Sequence, residues 1–131
     1  MVKQMTNHRI VITLCHENGR AYACIPVNTH FSNIADAERT IADMKSNDIQ
    51  AAIERGTPAM PKRYDIYPFS RHKTENGTFA WIYRDCTITS NEKCNRFKAF
   101  RDGHMVSNRQ RLDKILADID RIYVNQEIRM G

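Results

Sequence analysis

The sequence predicts an α+β domain in which an antiparallel sheet carries helices packed on one face, with elements in the order ββααβββα. Three observations lead there. Apolar residues alternate on both sides of Asn18-Gly19, residues 78–89 are rich in aromatic and β-branched side chains, and the C-terminal segment repeats apolar residues every three or four positions. The first two patterns suit strands and the third suits a helix. A sheet and a helix with one apolar side each are buried most simply against one another. The 131 residues, 41% hydrophobic and 27% charged, suit a single globular domain spanning 1–131.

The N-terminal hairpin comes first. Asn and Gly tolerate the positive φ of a tight turn, and centring the turn on Asn18-Gly19 pairs Leu14 with Ala23 and Ile12 with Ile25. One face then collects Ile10, Ile12, Leu14, Ala21, Ala23, Ile25 and Val27, a core face. The other, with Arg9, Val11, Thr13, Cys15, Tyr22 and Cys24, is mixed. Ser32 is placed to cap a helix whose Ile34, Ala37, Ile41 and Met44 form one stripe. Ser46-Asn47-Asp48 breaks that helix, Asp48 caps a second short one over 49–55, and Gly56 ends it.

Three later strands follow. RYDIYPFS is expected at an edge, because Pro68 cannot donate to a ladder. Residues Thr78–Thr89 form a central strand after a turn at Asn76-Gly77, and CNRFKAF returns as another, ended by Asp102-Gly103. Ser107 and Gln110 read as a capping box for a long final helix. Its Leu112, Ile115, Leu116, Ile119, Ile122 and Tyr123 share a stripe that packs on the sheet or, in a homodimer, on a second copy.

Several function classes are set aside on composition. No apolar run reaches the roughly 18 residues of a membrane span, and Ile10–Leu14 is too short for a signal peptide, so a cytoplasmic setting with reduced Cys15, Cys24, Cys86 and Cys94 is expected. The five glycines serve turns, a cap and a terminus, and compose neither a phosphate loop nor a dinucleotide fingerprint, so no cofactor is expected. The cysteines lack the CxxC spacing that presents two sulfurs to zinc, and no metal is expected either. His30, His72 and His104 fall in predicted loops without a partner constellation, and Asp118 and Asp120 point to different sides of a helix. His104 with Ser107, or Cys86 with one of these histidines, stays open as a base and nucleophile, and a non-enzymatic protein is the favoured expectation.

Charge supplies the positive clue. Residues 93–114 hold seven Lys and Arg against two Asp, an excess equal to the net charge of the whole chain, +5. Lys93, Arg96, Lys98, Arg101, His104, Arg109, Arg111 and Lys114 are the candidate anion-binding residues. Arg109 and Arg111 fall at the expected start of the final helix, where cations oppose the dipole and free N–H groups attract phosphate. A small nucleic-acid- or phosphate-binding accessory or regulatory protein follows, touching backbone rather than reading bases. The expectation requires those cations to share one corner without being neutralised by the chain's own carboxylates.

A second expectation is a protein-binding inhibitor or accessory factor of a mobile-element type. It would occlude a partner, a nucleic-acid enzyme or another acidic surface, with Tyr22, Tyr64, Tyr67 and Trp81 as interface anchors on the outer face of the sheet.

Overall fold

A computed structural model describes residues 5–130 of the chain. Seven antiparallel strands form one sheet in the order β2-β1-β3-β4-β5-β6-β7, with two helices. The strands are β1 (Met5–Cys15), β2 (Ala21–Phe31), β3 (Lys62–Lys73), β4 (Phe79–Tyr83), β5 (Cys86–Ser90), β6 (Phe97–Arg101) and β7 (His104–Arg109). Helix α1 (Ile34–Arg55) lies between β2 and β3 in the chain, and α2 (Leu112–Met130) ends it, so the order is ββαβββββα. This corrects the expected ββααβββα with three later strands. No helix among the described residues is long and apolar enough to cross a membrane.

Each departure has a physical cause. Ser46-Asn47-Asp48 does not break α1, which is capped by Asn33 and closed by Gly56 at φ 71°. Asp48 instead receives Lys62 at 3.1 Å and the Tyr64 hydroxyl, tertiary contacts that override weak local propensity. The expected central strand 78–89 folds back at Arg84-Asp85 into β4 and β5, with Arg84 at φ 54°. Asp102-Gly103 is also a hairpin turn, both residues at positive φ, and 104–109 forms β7 rather than a loop and helix cap. RYDIYPFS lies inside the sheet between β1 and β4, and Pro68 is tolerated because the β4 ladder stops at Phe69.

The first hairpin keeps its expected register, Leu14 opposite Ala23 and Ile12 opposite Ile25. Its loop closes from His16 to Arg20, and a bulge beside Cys15 restores the pairing.

The two helices pack on opposite faces of the sheet, not on one. Arg63 and Tyr64 are neighbours on β3 and so point to opposite sides. Arg63 meets Glu127 of α2 at 2.7 Å, while Tyr64 meets Asp48 of α1. Helix α2 touches β2 at one edge of the sheet and β6 and β7 at the other, so the sheet curls around it as a half-barrel.

The core lies inside that curl. Phe69, Trp81, Tyr83, Cys86, Ile88, Phe97 and Ala99 pack against Ile115, Leu116 and Ile119. Each fully buried Ile or Leu contributes on the order of 1.5–3 kcal/mol relative to exposure. The stripe of α2 is therefore occupied by its own sheet and does not remain open for a second copy. Helix α1 covers the outer face only over β1, β2 and β3, which leaves the outer face of β4–β7 bare.

Candidate functional site

Charged residues gather in two places, one on each face. The inner gathering centres on Asp120, 1% exposed in the middle of α2. Arg9, fully buried, donates to Asp120 Oδ2 from Nη2 at 3.2 Å and Nε at 3.4 Å. Arg84 donates to Oδ1 at 3.2 Å, and the Tyr83 hydroxyl donates to the same oxygen. The Arg84 guanidinium lies 4.0 Å from the ring centres of both Tyr67 and Tyr123. Burial, then the Asp120 charge, pushes the Tyr83 hydroxyl far above its ordinary range, so it stays a donor.

Beside this cluster opens a cavity of about 360 Å³, reached by Arg63, Arg84, Asp120, Glu127 and the Cys24 thiol. Its cations are already matched, Arg84 by Asp120 and Arg63 by Asp65 and Glu127. Among the described residues no buried side-chain polar atom lacks a partner. A closed, internally balanced network of this kind holds strands to helix and offers no surplus charge to a ligand. Burial and Asp120 also raise the Cys24 thiol, which disfavours a thiolate there.

The outer gathering contains much of the expected basic segment, with its centre moved. Alternation along β6 buries Phe97 and Ala99 against α2 and turns Lys98 outward. Arg96 lies on the same outer side, and its Nη1 donates to Asn108 at 3.5 Å. Neither Arg96 nor Lys98 has a carboxylate within ion-pair distance among the described residues, and the same holds for Lys93 and Lys114. Shallow depressions beside Arg96 bring Asn108, Arg109, Gln110, Arg111 and Lys114 together with it. Lys93 sits in the turn that enters β6 from the same end.

The helix-start anion site is corrected. Ser107 lies in β7 and donates to Asp118 at 2.7 Å instead of capping α2, which starts at Leu112. Arg109 faces α2 and grips Asp118 through two bonds of 2.7 and 3.1 Å. Burial works against the Asp118 charge, but the bonds from Arg109 and Ser107 outweigh it and hold its carboxyl below the usual range. Arg111 is paired with Asp113 at 3.0 Å, although it remains 71% exposed. Arg101 and His104 stand at the other end of the β6–β7 hairpin, about 16 Å along the strand from Arg96. Arg101 lies over Tyr123, on the inner side.

The four expected interface aromatics do not share a surface. Trp81 is 6% exposed in the core, Tyr64 is covered by α1, and Tyr67 stacks with Arg84. Only Tyr22 is exposed, beside His16 on the β2 edge. Tyr64 is pushed up to about 12 by burial and its bond to Asp48.

Sequence reasoning missed Arg9, Asp120 and Arg84 as a unit. A signal existed: Asp120 stands four residues after Leu116 and four before Val124, in the line of the apolar stripe, and Arg9 shares a strand face with Val11 and Thr13. A lone charge at a core position calls for a buried partner of opposite sign. Comparisons of the chain with family models, curated proteins and solved structures give no match.

Proposed function

We propose that this chain binds a polyanion of nucleic-acid type through the outer face of β6 and the adjoining start of α2, as an accessory or regulatory protein. The observation that carries the reading is the placement of Arg96 and Lys98. They stand side by side on a face without a helix, with no carboxylate in ion-pair reach among the described residues and with Lys93, Arg111 and Lys114 nearby. Unpaired surface cations repel one another, and a row of phosphates relieves that repulsion while releasing counterions. Arg109 takes no direct part, because Asp118 holds it.

The test is retention on immobilised heparin and on DNA as a function of salt. Arg96→Gln, Lys98→Gln and Lys114→Gln combined should cut retention sharply and lower the log–log salt slope by roughly 0.9 for each phosphate no longer neutralised. Retention unchanged in that variant sinks the proposal.

A second reading, an acidic protein partner, is favoured by one observation. Ile82 and Met105, 46% and 55% exposed, lie on the same bare face. Under that reading Ile82→Ser and Met105→Ser would weaken capture of the partner, while heparin retention would stay as in the parent.

A further inference from the structure

We infer that the polyanion is double-stranded DNA and that the outer face of the β6–β7 ribbon, flanked by β5, enters its major groove, an inference that rests on the polyanion reading above. Shape is the first argument. The β6–β7 ribbon at the sheet edge places two strands about 5 Å apart, and the major groove of B-form DNA, about 12 Å wide, admits a two-stranded ribbon. The sheet curls around α2, so its opposite face is convex over these strands, as a surface filling a groove must be.

Chemistry is the second. Thr89, Lys98 and Asn108 form one row across the three strands, and Thr87, Phe100 and Met105 form the next. No strand residue on this face is acidic. The Asn108 amide is both donor and acceptor, the pattern that adenine presents in the major groove, and the Lys98 ammonium suits the guanine acceptors. The apolar ends of Phe100 and Met105 suit thymine methyl groups. Arg96, Arg111 and Lys114 cluster where β6 and β7 meet α2, at the rim, where phosphates pass.

Other nucleic acids fit less well. The major groove of A-form RNA is too deep and narrow for a sheet to enter. Single strands are held by stacking on several exposed aromatic rings, and this face has only Phe100, because Trp81, Tyr83 and Phe97 point into the core.

Fluorescence anisotropy with a short mixed-sequence DNA duplex, the corresponding RNA duplex and one DNA strand tests this at fixed salt. The DNA duplex should bind at least about tenfold tighter than either alternative. Methyl green, which occupies the major groove, should displace the protein, and netropsin, which occupies the minor groove, should not. Thr89→Glu places a carboxylate directly beside Lys98 and should remove the preference for duplex without lowering the melting temperature. Should that variant be less stable, Asn108→Ala serves instead, with the same loss expected. Equal affinity for RNA duplex or single strand, or displacement by netropsin alone, overturns groove entry and leaves the polyanion reading standing. No binding to any of the three at low salt overturns both.

Discussion

On the inner face of the sheet, Arg9 and Arg84 share Asp120 and are nearly closed to water. On the outer face, Arg96 and Lys98 are open to solvent and have no carboxylate in reach among the described residues. The same residue types do different work on the two faces because the surrounding dielectric differs. A buried guanidinium without a counter-charge would cost several kcal/mol, so the fold supplies Asp120. An exposed one is stabilised by water, so its charge stays available to a partner. Charge counts along a chain therefore say little about binding until the matched charges have been removed from the count.

The largest effect that could break this comparison is expected at Asp120. Asp120→Ala strands the fully buried Arg9 without its counter-charge and should cost on the order of 3–5 kcal/mol in urea unfolding. A loss under about 1 kcal/mol would mean that the inner cluster is not a closed buried pair.

The Arg84-Asp85 turn sharpens the same point on a smaller scale. Arg84 holds a left-handed backbone at φ 54° while its side chain stacks between Tyr67 and Tyr123. Arg84→Ala loses the stack and keeps the strain, whereas Arg84→Gly loses the stack and relieves the strain. Thermal melts should rank the glycine variant above the alanine one by about 1 kcal/mol.

Titration offers a third test. Burial, then the Arg9 guanidinium 3.4 Å away, holds His30 below its ordinary range. The unfolded chain then binds this proton more readily than the folded one. The stability linked to His30 is present above about pH 6.5 and is lost as pH falls through the lowered folded value. His30→Gln should flatten the fall in melting temperature between neutral and mildly acidic buffer, and an unchanged profile would place the acid sensitivity elsewhere.

The smallest effect on stability is expected on the outer face. Arg96→Gln with Lys98→Gln should change unfolding free energy by less than about 0.5 kcal/mol. The same pair of changes should lower the salt slope of DNA retention by about 2. A large loss of stability in that variant would mean that these cations also hold the fold.

Much of the local structure was legible in the residues. Alternation around Asn18-Gly19 led to the correct cross-strand partners, and the apolar stripe of the last helix named Ile115, Leu116 and Ile119, all fully buried. Gly56 was recognisable as a helix end. Other elements were hidden for identifiable reasons. Arg84-Asp85 lacks the Gly or Asn of an ordinary turn, and its left-handed arginine is held by rings and a carboxylate from β3 and α2. Asp102-Gly103 did carry a hairpin signal, but the cations after it suggested a helix start, so β7 was overlooked. The candidate site was half legible: Arg96 and Lys98 stand on the outer face as alternation requires, whereas Arg101, Arg109 and Arg111 are engaged by Tyr123, Asp118 and Asp113.

By itself the sequence determined the periodicities, the cross-strand partners of the first hairpin though not the form of its turn, the excess of positive charge and its location between residues 93 and 114. The tertiary structure alone decided which charges neutralise one another and which face each cation occupies. Asp120 lies 111 residues from Arg9, and Arg84 lies 36 from Asp120, so no local pattern could pair them. Those pairings arise when α2 settles into the curl of the sheet, because only then do side chains distant in sequence come within reach of one another away from water.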